Sequence, residues 1–84
     1  MTLKIFIQPQ CPSCPSAKEL GKKLEKKVKV EYFDTSEPRG LAEATFYGIM
    51  ATPTLILVEN KNKVKKAWTG TPNEKDVLKA IGNE

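Results

Sequence analysis

Cys11 and Cys14 are the only cysteines in this 84-residue chain, and Pro12 and Ser13 separate them. They follow an apolar, strand-like run and precede a helix-like one. A helix N-terminus offers unpaired backbone N–H groups and about half a positive charge, and both favour a thiolate over a thiol. A thiolate is the species that attacks a disulfide. A second thiol two residues on lies within one helical turn, close enough to resolve the mixed disulfide that forms. The spacing therefore predicts a dithiol–disulfide oxidoreductase in which Cys11 attacks and Cys14 resolves. A CxxC pair is also half of a zinc or iron–sulfur site. Four ligands are needed, however, and a chain with two cysteines and no histidine supplies them only if two copies share the ion. No resident cofactor or metal is expected.

Composition narrows the field. A bridge across Cys11 and Cys14 would close too short a loop to stabilise the fold by chain entropy, so the thiols are chemical rather than structural. Absence of histidine removes Ser-His and Cys-His catalysis. The formal net charge is +4, but thirteen of the fourteen basic residues are lysine and only Arg39 is arginine. The forked contacts by which proteins read bases and phosphates are thus nearly absent, and the lysines mix with ten acids, so nucleic acid is not the expected partner. Lys18, Lys22, Lys23, Lys26, Lys27 and Lys29 read as a solvated face. The run Leu3 to Ile7 is too short for a signal peptide, and nothing approaches the roughly 20 apolar residues of a membrane span. A cytoplasmic monomer of one domain, residues 1–84, is the expectation.

The elements that must hold the cysteines follow from periodicity. Residues 2–7 read as a strand covered on both faces. From Pro12 to about Lys27, Ala17, Leu20, Gly21 and Leu24 recur at helical spacing, with supporting pairs Glu19–Lys23 and Glu25–Lys29. Val28 to Phe33 is a second strand. Ser36-Glu37-Pro38 opens a second helix, which continues through Leu41, Ala42, Ala44 and Phe46 and stops at Gly48. Thr54 to Val58 is a buried central strand. A turn at 60–63 returns the chain along Val64 to Trp68, where Lys63, Lys65 and Lys66 would guard a sheet edge. Thr71-Pro72-Asn73-Glu74 reads as a capping box, with Thr71 as N-cap and Glu74 at N3, ahead of Val77, Leu78 and Ile81. The order βαβαββα combines a parallel pair with an antiparallel one, giving a mixed four-stranded α/β sheet flanked by three helices.

This order, the CPSC loop after the first strand, and Thr52-Pro53 before the third resemble the thioredoxin/glutaredoxin superfamily over residues 3–82. CPSCP together with YGIMATPT is most similar to the small thioredoxin-like, or glutaredoxin-like, proteins of methanogenic archaea. The resemblance implies a cis Thr52–Pro53 bond facing the sulfurs, and backbone at Thr52 free to pair with an extended substrate. Without it, Thr52-Pro53 would read only as a turn leading into a strand. It also implies that Gly70 lies beside the site, so that Pro12, Ser13, Thr52, Pro53 and Gly70 form the substrate surface. Implied partners are disulfide-containing cytosolic proteins and an upstream flavin-dependent thioredoxin reductase.

Two departures stand out. The buried aspartate that thioredoxins carry in the first strand aligns with Ile5, so Cys14 must lose its proton by another route. Gln10 replaces the usual tryptophan, and Pro12-Ser13 is closer to glutaredoxin, yet Trp68-Thr69-Gly70-Thr71-Pro72 lacks the glycine pair and acid used for glutathione. Three alternatives stay open: a glutathione-dependent glutaredoxin, a thiol oxidant or isomerase, and a non-catalytic binding or metal-bridging module. Trp68 and Tyr47 read either as core or as substrate contacts.

Overall fold

The computed structural model describes residues 1–60 and 63–82. The elements are β1 (Thr2–Ile7), α1 (Cys14–Leu24), β2 (Lys29–Asp34), α2 (Pro38–Tyr47), β3 (Thr54–Val58), β4 (Val64–Thr69) and α3 (Glu74–Ile81), in the expected βαβαββα order. The sheet order is β2-β1-β3-β4. β1 pairs parallel with β2, while β1–β3 and β3–β4 are antiparallel, so the sheet is mixed as the connections required.

Both faces of the two central strands are covered, which explains why β1 and β3 are apolar almost throughout. Leu3, Ile5, Leu55 and Leu57 pack with Ala17, Leu20 and Leu24 of α1 and Val77 of α3. Phe6, Ile56 and Val58 pack on the other side with Phe33 and with Ala44 of α2. Burying side chains of this size supplies about 1.5–3 kcal/mol each, the main drive for so small a core. Gly21 belongs to the α1 seam because a Cβ there would lie 2.5 Å from Tyr32 Oη and 2.7 Å from Ile5 Cδ1. Gly48 ends α2 in the left-handed conformation (φ 70°) that the stop signal anticipated. Trp68 is half-buried and packs on the Leu3–Leu57 cluster, favouring its core reading, and Tyr47 packs on the Phe6 cluster.

Several local expectations are corrected. Helix α1 starts at Cys14, with Ser13 as N-cap, rather than near Pro12. A helix opening at Pro12 would need an N–H from Pro15 to the Cys11 carbonyl, and proline has none. The Cys14 N–H donates to Cys11 O instead, at 3.3 Å, and forms a tight turn. The capping box is not formed. Asn73 is the N-cap of α3, in extended conformation, and no side-chain cap bond is made. Thr71 thus precedes the helix by too much to serve it. Glu25 and Lys29 do not pair, because α1 ends at Leu24 and Lys29 already lies in β2, where it approaches Glu31 at 3.7 Å. Among the described residues Glu19 and Lys23 form no ion pair either. Of the apolar residues in α2 only Ala44 is buried, since Leu41 and Phe46 are 56 % and 63 % exposed. Lys61 and Asn62 of the expected turn lie outside the described residues. Beside them, Lys63 N–H donates to Asn60 O and Glu59 N–H to Lys63 O.

Candidate active site

Register alone gathers the site at one end of the sheet. Phe6 of β1 lies opposite Thr54 of β3, so the segment leaving β1 and the segment entering β3 share that end. β2 is parallel to β1, with Ile7 opposite Asp34, which brings Thr35 and Ser36 alongside. Thr54 is opposite Thr69, so Gly70 follows β4 at the same end. The loop of Cys11, Pro12 and Ser13, the pair Thr52-Pro53, and Gly70 are therefore neighbours in the fold, although up to 59 positions apart in the chain.

Cys11 and Cys14 are joined in a disulfide, with their Cα atoms 5.4 Å apart. The two sulfurs differ in access. Cys14, the first residue of α1, is 3 % exposed, whereas Cys11 sits half-buried in the preceding turn. Of the two cysteines only Cys11 is accessible to a bulky partner, and Cys14 reaches it within the loop. Pro12 and Ser13 are exposed beside them. Gln10, just before Cys11, holds a positive φ of 64°, sparsely used by residues other than glycine. The chain turns there from the sheet into the redox loop.

The Thr52–Pro53 bond is cis. Pro53 is buried, Thr52 partly exposed, and Thr54 Oγ1 donates to Ala51 O at 2.6 Å, which fixes the approach to β3. Gly70 has a φ of 86° and its N–H donates to Pro53 O at 2.8 Å. Glycine is needed there for the positive φ, and that bond ties the end of β4 to the proline.

Ile5, at the position where the resemblance expects an acid, is fully buried in the cluster with Ala17, Leu55 and Leu57. An acid does stand at the site end of the sheet: Asp34, the last residue of β2. Its carboxylate accepts from Ser36 N–H at 2.8 Å and Ser36 Oγ at 2.6 Å. Those bonds hold its pKa below the usual aspartate value against the opposing effect of burial, and the positive field of Lys18 adds to them more weakly. So committed a carboxylate is a weak base. Sequence reasoning passed over Asp34 because an acid at a strand end reads as a turn former. Gln8 and Thr35 were also missed. Thr35 N–H donates to Ile7 O, its Oγ1 reaches Gln8 Oε1 at 3.4 Å, and both line a groove of about 310 Å³ with Ile49, Ala51 and Thr52.

A buried lysine was missed as well. Lys4 is 8 % exposed in the middle of β1 and donates to Glu43 Oε1 at 2.9 Å and to Tyr47 Oη at 3.1 Å. Its ammonium also lies 4.9 Å from the centre of the Tyr47 ring. Burial pushes its pKa down, but the bonds and charge of Glu43 and Tyr47 outweigh that and raise it. This cluster fastens α2 to β1 just ahead of the segment leading to Thr52-Pro53.

Comparisons with known proteins agree with this geometry. Residues 1–82 match the family model described as a thioredoxin domain. A thioredoxin of Methanocaldococcus jannaschii is 31 % identical over 83 residues, covering 94 % of this chain and 89 % of that one. Among solved structures, a mutant thioredoxin from Halobacterium salinarum superposes with a TM-score of 0.83 at 23 % identity, over 95 % of this chain and 70 % of that one. Thioredoxin 1 of Thermosipho africanus does so with a TM-score of 0.72 at 19 % identity, over 98 % and 91 %. At those identities the structural likeness speaks for the fold.

Proposed function

The chain belongs to the thioredoxin domain family, and from that premise we propose that it is a dithiol–disulfide oxidoreductase that reduces protein disulfides through Cys11 and Cys14. The carrying observation is the unequal access of two bonded sulfurs in one loop, with Cys14 buried and Cys11 half-open. In the reduced protein, the Cys11 thiolate attacks one sulfur of a substrate disulfide. The substrate S–S bond breaks, its far sulfur leaves as a thiolate and takes a proton, and a Cys11–substrate disulfide forms. Cys14, deprotonated in turn, attacks the Cys11 sulfur. The Cys11–Cys14 bond closes and the second substrate sulfur leaves, so two electrons have passed to the substrate. Pro12, Ser13, Thr52, Pro53 and Gly70 form the surface against which the substrate lies. The backbone of Thr52, a partly exposed residue, pairs with an extended substrate segment. Ile5 provides no proton acceptor, so the Cys14 proton leaves toward solvent through the Ser13 side of the loop.

The partners in this reading are cytosolic proteins with reducible disulfides, and a flavin-dependent reductase restores the dithiol. The test is insulin-disulfide reduction driven by dithiothreitol. Wild type is expected to catalyse it and Cys11→Ser to be inactive. Cys14→Ser is expected to accumulate a covalent complex with substrate. Activity retained in Cys11→Ser would overturn the assignment. The direction is checked by the reduction potential: a value near about −270 mV fits a reductase, and one near about −120 mV makes the protein an oxidant.

A further inference from the structure

β4 is one of the two outer strands of the sheet, opposite β2, and it carries an open groove on each of its faces. The bond from Gly70 N–H to Pro53 O sets the phase of the β3–β4 ladder. In an antiparallel pair, bonded and non-bonded positions alternate. Trp68 and Lys66 therefore direct their backbone groups toward β3, and Ala67 and Thr69 direct theirs outward. Side chains alternate likewise. Trp68 and Lys66 pair with Leu55 and Leu57 and share their face of the sheet, whereas Thr69 and Ala67 pair with Thr54 and Ile56 and share the other.

The two grooves differ in chemistry. On the α3 side a groove of about 770 Å³ runs between β4 and the helix, past Trp68 and Pro72. Two ammonium groups, Lys66 and Lys79, stand against one carboxylate there, Asp76. On the α2 side a groove of about 330 Å³ is lined by Ile49, Met50, Val64 and Ala67 and is largely apolar. Met50 is 95 % exposed and Val64 42 % exposed, so this apolar surface is uncovered. Lys63, just before the strand, and Lys65, within it, are exposed.

We propose that β4 is a docking edge for an extended segment of a partner protein that alternates acidic and aliphatic residues. Such a segment would pair with the outward N–H and C=O groups of Ala67 and Thr69. Its carboxylates would lie beside Lys66 and Lys79, and its aliphatic side chains would enter the groove of Val64, Ala67 and Met50. Charge selects this occupant. A second copy of the chain adding β4 to β4 would gather two sets of Lys63, Lys65 and Lys66 along one edge, which disfavours self-pairing. The same lysines attract an acidic strand. Because β4 runs toward Gly70, the segment would lead from the far end of the sheet to the redox loop. The docking edge does not depend on the thiol chemistry, and its test is one of binding.

The probe is a synthetic peptide of alternating glutamate and valine, titrated into the oxidised, ¹⁵N-labelled protein. Expected are saturable shifts at Ala67 and Thr69, slowed hydrogen exchange of those two amides, and a change in Trp68 fluorescence. The Lys66→Glu/Lys79→Glu double variant is expected to weaken binding by about tenfold. Ala67→Pro, which removes an outward N–H that β3 does not use, is expected to abolish it while insulin reduction persists. A lysine–valine peptide of equal length is expected not to bind. The proposal is overturned if the acidic peptide fails to bind, if shifts occur without amide protection, or if Ala67→Pro binds as well as wild type. Dimerisation of the protein alone through β4, seen by sedimentation, would equally overturn it.

Discussion

Cys14 and Cys11 differ mainly in what surrounds them: one is sealed at the first position of α1, the other stands in a turn outside it. Their types and spacing were readable as redox chemistry at once. Their unequal access was not, since it depends on Pro15 delaying the helix and on the core beneath Cys14. Lys4 teaches the same lesson. In the sequence it interrupts an apolar strand, and nothing nearby announces the partners Glu43 and Tyr47, some 40 positions away. The pKa of Lys4 is raised, because Glu43 and Tyr47 outweigh burial. That of Tyr32 is also raised, by burial first and then by Glu25. In both cases the folded protein holds its proton more tightly than the unfolded chain. Their contribution is complete below the unfolded values, near about pH 10, and is lost as pH rises through the folded ones. Melting temperature is accordingly expected to fall across the alkaline range. The Lys4→Met/Tyr32→Phe double variant should show a shallower fall, and an unchanged slope would refute the assignment.

Helix α2 is held where close contact allows it. Gly40 is buried and packs so tightly on the end of β2 that an added Cβ would overlap the Asp34 backbone. Substituting alanine there would gain helix propensity of about 1 kcal/mol, but the backbone collision forces α2 away from the sheet. Gly40→Ala is expected to cost about 2–3 kcal/mol in urea unfolding, net of that gain. Gly48→Ala meets no neighbour and suffers only from its positive φ, so it should cost about 1 kcal/mol. Equal costs would show that close packing at Gly40 does not matter. Element order, the buried character of β1 and β3, and the Gly48 stop were all legible because each follows from local periodicity or local backbone need. The Thr71 cap and the Glu25–Lys29 pair misled because such motifs report only spacing, and the chain leaves the helical path at those residues.

Taken whole, the molecule is a thin sheet with apolar clusters on both faces and a lysine-rich exterior. Among the described residues the ion pairs are Lys4–Glu43 and Lys29–Glu31. Lys18, Lys22, Lys23, Lys26 and Lys27 are exposed on or just after α1, in a chain of net charge +4. These like charges repel one another, and salt screens that repulsion. Sodium chloride between about 0.02 and 0.3 M, where the screening length shrinks several-fold, is expected to raise the melting temperature. A fall on adding salt would mean that ion pairs dominate. Composition and pattern were sufficient for the thiol chemistry, the mixed sheet and the exclusion of histidine-based catalysis, since these depend on residue identity and on spacing along the chain. A resemblance carried by particular motifs supplied the expectation of a cis Thr52–Pro53 bond. Bringing Cys11, Asp34, Thr52 and Gly70 to one end of the sheet, sealing Cys14, and leaving both faces of β4 open required strand order and register. Those are relations between distant parts of the chain, and they arise only when the two apolar faces are buried together.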